Sequence, residues 1–313
     1  MTSDIILFLV YLAVLLLLAR PFGRYISKVF QGEKTFLDRV LRPAEKFVYK
    51  IANIDEKKEM TWKQYAMAVI WFHVLSFLAI FLTEVFQGSL PLNPASQDNV
   101  SWDLALNTAV SFITNTNWQA YSGENTMSYL AQMAGLTVQN FVSAAVGIAV
   151  LFALIRGLRS GHGTSLGNFW VDATRTTLYI LVPLSLALSL LLIWQGVPQN
   201  FSPYRTVALL EPIMAEDGAT VTEQMVPMGP QASQVAPKQL GTNGGGYNGV
   251  NSAHPHENPT PLANMLEMLA LLLIPAGLCF TFGRQITDMR QGVAIFITMT
   301  LLLAAAIGFT AWA

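Results

Sequence analysis

Six apolar runs without a charged residue, at 5–19, 64–83, 125–155, 176–204, 268–283 and 291–313, constrain this chain more than any other feature. A bilayer core is about 30 Å thick, and a helix needs about 20 apolar residues to cross it. Each run reads as a membrane helix, the first and fifth a little short if only charge-free residues are counted. Charged residues are 12% of the 313, about half the ~25% usual in soluble domains. Backbone groups in hydrocarbon must be satisfied within the protein, so the fold class is all-α integral membrane, in contact with the lipid bilayer. The first run is not read as a signal peptide: Met1-Thr-Ser-Asp4 has no cation, and Arg20, Arg24 and Lys28 follow the run instead.

Charge sets the orientation. Eleven of the 18 Lys and Arg residues lie in 20–63, and Arg156, Arg159, Arg175, Arg284 and Arg290 fall in turns of the same parity. Only Arg205 and Lys238 fall on the other side. The positive-inside rule then places the N-terminus outside and 20–63, 156–175 and 284–290 in the cytoplasm. Acidic residues are interspersed through 20–63, so it reads as a solvated amphipathic segment at the headgroups rather than a site. A net charge of −1 offers nothing to nucleic acid. The single Cys279 cannot form an intrachain disulfide, and its apolar surroundings suit a packing role.

Between the apolar runs lie two short stretches followed by polar loops. Ser101, a plausible N-cap, opens a run from Leu104 to Ile113 that is too short to cross and suits a re-entrant half-helix. Thr114-Asn-Thr-Asn-Trp-Gln119 follows it. Gln231 to Leu240 precedes Gly241-Thr-Asn-Gly-Gly-Gly-Tyr247, and Pro237 predicts an irregular or late-starting helix there. Glycines let the backbone point its carbonyls where other residues cannot. Irregular backbone at membrane depth survives only when buried in protein or lining a watery cavity. A carbonyl-rich loop in that setting can replace the hydration shell of a monovalent cation. No acidic residue lies inside either loop, which argues against a divalent ion.

The layout repeats. Asn115 to Arg156 and Asn243 to Arg284 are both 41 residues, and at an offset of 128 Thr114/Thr242, Asn115/Asn243, Phe152/Phe280 and Arg156/Arg284 are identical pairs. Such weak symmetry is typical of duplicated transporters and channels. We divide one membrane domain into an extra helix and basic segment (1–60), a first pore repeat (61–158), a second (171–286) and the first helix of a third (291–313). Parallel repeats would bring the two Thr-Asn loops to a common axis. Asp103, Glu124 and Glu257 fall near the outer mouth, either concentrating cations or serving as solvated rim charges. His73 reads as a partnered histidine, since no second ligand lies at helical spacing. Glu267, early in the fifth long helix, reads either as a functional carboxylate or as a structural hydrogen-bond acceptor. The outer segment 196–230 has no apolar periodicity and reads as an extracytoplasmic cap.

Ser101-Trp-Asp-Leu-Ala-Leu-Asn-Thr-Ala-Val-Ser-Phe112, Thr114–Gln119, Tyr121-Ser-Gly-Glu124, Gln132-Met-Ala-Gly-Leu-Thr-Val-Gln-Asn-Phe141 and Leu240–Tyr247 closely resemble the potassium-binding A subunit (KdpA) of the Kdp ATPases. The resemblance implies a channel-like fold with four membrane–pore–membrane repeats and an extra N-terminal helix. It implies a noncatalytic subunit of a potassium uptake pump in the bacterial plasma (inner) membrane, with K+ selected at an outer filter. ATP would enter only through a catalytic P-type ATPase subunit. A single-span accessory subunit with an extracytoplasmic domain would complete the pump, with room for a small single-helix subunit. The filter would fall on Thr114, Asn115, Thr116, Asn117 and Gln119, and on Thr242, Asn243, Gly244, Gly245 and Gly246. Four filter loops are expected of the family and two are present, so this chain alone would not close a fourfold pore. We expect a fragment or truncated gene product that folds poorly without the missing repeats.

A stand-alone channel or ion-coupled transporter of the same architecture is the alternative, and an adjacent gene for a P-type ATPase subunit would separate the two. An enzyme fares worst, for the sequence has no Walker A loop and no His/Cys/carboxylate cluster at metal spacing. The topology predicts that a cysteine introduced at Lys57 reacts only with reagents that reach the cytoplasm. Labelling by an impermeant reagent outside intact cells would overturn it.

Overall fold

A computed structural model of the chain describes residues 2–160, 165–214 and 218–312. Outside them lie Met1, residues 161–164 and 215–217, and Ala313. The elements in order are α1 (Thr2–Gln31), α2 (Asp38–Ile51), α3 (Trp62–Val85), α4 (Trp102–Ile113), α5 (Gly123–Thr126) and α6 (Val138–Ser160), then α7 (Phe169–Arg175), α8 (Val182–Trp194), β1 (Arg205–Met214), β2 (Thr220–Val226), α9 (Ala232–Leu240), α10 (Pro261–Gln285) and α11 (Met289–Trp312). A π-helical turn at Ala131–Thr137 leads into α6, and another at Thr176–Leu181 joins α7 to α8.

Six segments are long and apolar enough to cross a membrane: Ile5–Gln31, Trp62–Val85, Ala131–Arg159, Phe169–Trp194, Pro261–Gln285 and Met289–Ala311. They coincide with the six charge-free runs, and the protein is an all-α multi-pass membrane protein. The fourth starts earlier than its run because Asp172 and Arg175 sit in its first turns. Asn168 caps that start, its side-chain oxygen accepting from the N–H groups of Trp170 and Val171. Thr61 and Gln64 form a reciprocal capping box at the head of α3.

Two charges of the fourth span, Asp172 and Arg175, are paired. Arg156 of α6 grips the Asp172 carboxylate with both terminal nitrogens, and Tyr65 of α3 donates to the same carboxylate at 3.1 Å. Arg284, the sequence counterpart of Arg156, is exposed and makes no ion pair with any described residue. Arg175 donates to Glu45 of α2 at 2.8 Å, and the Tyr49 and Tyr179 hydroxyls donate to that carboxylate at 2.8 and 2.9 Å. Segment 20–63 is therefore more than a solvated headgroup face, since buried Glu45 docks α2 onto the spans. Burial works to raise the Glu45 pKa, but the bonds from Arg175, Tyr49 and Tyr179 outweigh it and hold the carboxyl below its usual range.

Prolines are accommodated locally. Pro183 has no N–H for the carbonyl of Tyr179, and that oxygen instead accepts the Tyr25 hydroxyl at 2.8 Å. His73 is partnered as expected, its Nδ1 lying 2.8 Å from the carbonyl of Val69. Cys279 is buried against α11, near the Met299 sulfur. In segment 196–230, which shows no apolar periodicity, β1 and β2 pair antiparallel with a register shift between Ala208 and Ile213. Nearly all of both strands is exposed. With neither face buried there is no alternation for the sequence to show, and Pro212 sits in the shifted stretch, where a strand tolerates it.

α1 lies along α10 through facing glycines, as small residues allow in membrane helix pairs. A Cβ on Gly23 would come 2.4 Å from the Gly277 carbonyl oxygen. Thr281 donates to the Gly23 carbonyl at 2.9 Å, and Gln285 to the Ser27 hydroxyl at 3.1 Å. Gly23→Ala should therefore destabilise by about 1–3 kcal/mol through overpacking. A lower thermal midpoint in detergent is the expected reading, and an unchanged midpoint contradicts this packing.

Candidate ion-binding site

The site grows from the ends of two short helices. α4 terminates in Asn115 with φ +62°, and α9 in Thr242 with φ +55°. Both ends bond alike: Asn115 N–H to Phe112 and Thr116 N–H to Ser111 in one, Thr242 N–H to Gln239 and Asn243 N–H to Lys238 in the other. This is the Schellman ending, which uses the first loop amides to satisfy the last helical carbonyls. It also corrects the sequence alignment. By backbone geometry Asn115 corresponds to Thr242, 127 positions on, so the Thr-Asn identities at an offset of 128 lie one residue out of register. A β-branched residue with positive φ is a strained choice, and such strain gathers at functional sites.

Pro237 does not make α9 irregular. The helix runs unbroken from Ala232 to Leu240, since a proline inside one short helix leaves a single carbonyl without its donor. Ser101 takes the N-cap position of α4 but bonds none of its N–H groups.

The loops lie side by side. The Asn115 side chain donates to the Gly241 carbonyl at 3.2 Å, and the side-chain amides of Asn115 and Asn243 meet. Gln119 donates to the Gly246 carbonyl at 3.0 Å. A Cβ on Gly245 would lie 2.8 Å from the Asn117 carbonyl oxygen, and one on Gly244 would lie 3.8 Å from that of Thr116. Glycine is thus required at Gly245 twice over, by this approach and by its φ of +67°. The carbonyl oxygens of residues 114–117 and 242–244 accept no hydrogen bond from any described residue. Those of Gly245 and Gly246, also in the predicted set, are turned onto Lys238 and Gln119.

Side chains separate by face. Thr114, Thr116 and Thr242 are exposed, whereas Asn117 and Asn243 are buried. Asn117 donates to Asn140 at 2.6 Å, and Ser143 donates to Asn115 at 2.8 Å. Asn140, Ser143, Gln132 and Gln239 were absent from the predicted site, although polar residues in an apolar run are the signal that could have found them. Gln132 donates to the Tyr247 carbonyl at 3.1 Å and accepts from Gln234 at 2.8 Å. Gln239 donates to Glu267 at 2.6 Å, which gives that carboxylate the structural role of holding α9 to α10.

The mouth carboxylates divide three ways. Asp103 is exposed in the first turn of α4, and the Ser101 hydroxyl beside it lowers its pKa. Glu124 is half-buried, and burial raises its pKa. Glu257 is not a rim charge at all. It is fully buried, as is Lys238, and the two form an ion pair. Lys238 is therefore not an exposed cation of the outer face: an ammonium on a buried helix needs a counter-charge, and Glu257 supplies it.

Two short helices that end in loops with unpartnered carbonyls, among six helices of membrane-crossing length, define the chain as a multi-pass membrane protein. A family model described as KdpA, potassium-transporting ATPase A subunit, matches residues 9–313. The chain belongs to the KdpA family. It is 66% identical over 302 residues to a protein of Desulfovibrio desulfuricans, covering 96% of this chain and 52% of that one. It is 59% identical over 307 residues to one of Clostridium perfringens, with 98% and 53% covered. A protein of Pseudomonas syringae pv. tomato is 52% identical over 310 residues, with 99% and 53% covered. Each is named potassium-transporting ATPase potassium-binding subunit. The chain spans about half the length of these curated relatives.

Burial alone would raise the Glu257 pKa, but Lys238 and the Asn248 N–H lower it overall. A carboxyl depressed in the folded state contributes stability above its unfolded pKa of about 4.3, and that contribution is lost only as pH falls through the lower folded value. Infrared difference spectra between the native protein and Glu257→Gln should show Glu257 still ionised at pH 4.3, and a protonated carbonyl band there contradicts the pairing.

Proposed function

We propose that this chain forms part of the potassium-binding and translocation subunit of an ATP-driven uptake pump. The observation that carries the reading is the set of seven unpartnered carbonyl oxygens on two touching loops, at residues 114–117 and 242–244. An unpaired polar group buried away from water costs several kcal/mol, and a dehydrated monovalent cation is the partner that would repay it. The C-terminal ends of α4 and α9 add negative potential at the same place. The Thr114, Thr116 and Thr242 hydroxyls lie on that face, and Gly245 and Gly246 supply the close approach of the two loops.

The names of the relatives support potassium as the ion. On this reading 61–158 and 171–286 are two of four pore repeats, and the other half of the relatives' length supplies the remaining loops. The chain itself is noncatalytic, and ATP acts through a P-type catalytic subunit. A single-span accessory subunit with an extracytoplasmic domain and a small single-helix subunit complete the assembly in the bacterial inner membrane. The N-terminus is extracytoplasmic, and exposed Asp103 with half-buried Glu124 faces the entrance.

Gly245→Asp tests the site. It places a Cβ against the Asn117 carbonyl and a carboxylate beside the oxygen row. In the full-length reconstituted complex, discrimination of K+ against Na+ should fall by about tenfold or more, the equivalent of one charge-assisted hydrogen bond. Unchanged ion preference in transport assays would remove the filter assignment.

A further inference from the structure

The Lys238–Glu257 pair joins α9 to the loop before α10. Both side chains are 0% exposed. Replacing a buried ion pair with apolar side chains of similar volume is often neutral or stabilising, so stability alone is a weak reason to bury this one. Its contacts point elsewhere. The Lys238 ammonium donates to the Gly245 carbonyl at 2.9 Å as well as to Glu257. Glu257 accepts from the Asn248 N–H at 2.7 Å and from the Ser252 hydroxyl at 3.1 Å. A Cβ on Gly246 would lie 2.7 Å from the ammonium and 2.8 Å from the carboxylate, so the pair is seated directly against the loop backbone.

On the reading that residues 242–244 carry ion ligands, we propose that Lys238 and Glu257 form a specificity-determining strut behind the second loop. The ammonium turns the Gly245 carbonyl away from the free oxygens and so ends their row at Gly244. Glu257 fixes the returning strand through Asn248 and cancels the charge of Lys238, which would otherwise repel a cation in front of it. The row length and its spacing from the Asn117 oxygen are thereby set from behind. An apolar pair could fill the same volume but could not donate to Gly245. The first loop has no such device: by the shared helix ending the counterpart of Lys238 is Ser111, whose buried hydroxyl oxygen has no hydrogen-bond partner. The two loops are thus held by different means, and the strut belongs to the second.

The test uses the full-length complex reconstituted in vesicles, with K+ and Na+ transport as readouts. In the double variant Lys238→Met/Glu257→Gln no uncompensated charge is buried, so the complex should assemble, and K+/Na+ discrimination should fall about tenfold as the Gly245 carbonyl loses its donor. Glu257→Gln alone keeps the donor but leaves the ammonium unpaired. It should retain discrimination while weakening half-activation by K+ about tenfold. An assembled double variant with native discrimination overturns the proposal. So does failure of both variants to assemble, which would make the pair a folding element. Gly245→Asp run alongside separates the two ideas: if it also leaves ion preference unchanged, the filter reading itself is lost, and if it alone changes preference, only the strut is.

Discussion

A carbonyl oxygen that no N–H reaches is expensive where water is excluded, and seven in the two loops accept no hydrogen bond from any described residue. Everything around the site serves that arrangement. Each short helix closes with a Schellman ending, so its own last carbonyls are satisfied by the first amides of the loop. The amides are thereby consumed, and the loop oxygens that follow have no donors left. Backbone hydrogen-bond accounting leaves the loop oxygens without local donors, and the Lys238 and Gln119 side chains partner those of Gly245 and Gly246.

Side chains then hold that row in place from behind. The first loop is tied by amides and hydroxyls: Asn117 to Asn140, and Asn115 to Ser143. The second is tied by a buried ion pair and a chain of polar contacts through Ser252, Gln239 and Glu267. Two halves of similar plan thus reach the same backbone ending with different anchors. Gln119 and Asn115 stitch them together across the boundary.

Around α2 and the start of the fourth span the same physics appears in another form. Arg156–Asp172–Tyr65 and Arg175–Glu45–Tyr179 are shared among α2, α3, α6 and the α7 span, so the charges that interrupt the apolar runs cross-link them. Between α1 and α10, facing glycines bring the backbones close, and hydrogen bonds from Thr281 and Gln285 join the two helices there.

The number, type and approximate bounds of the spans were legible in the sequence, because hydrocarbon admits few backbone solutions and long runs that are both apolar and free of charge stand out. The two short helices and their loops could be read too, from a capped run ten residues long and from three consecutive glycines. What residue pattern could not supply was direction. Nothing in the composition of Gly244-Gly-Gly246 says that the first oxygen is free while the next two meet Lys238 and Gln119. Nor does spacing reveal that Lys238 and Glu257, each read as an outer charge, face each other in the interior, since that depends on α9 and the loop before α10 folding back on themselves. The one-residue error in aligning the repeats has the same origin: identical letters follow descent, whereas register follows where each helix ends, and only the three-dimensional hydrogen bonds decide that.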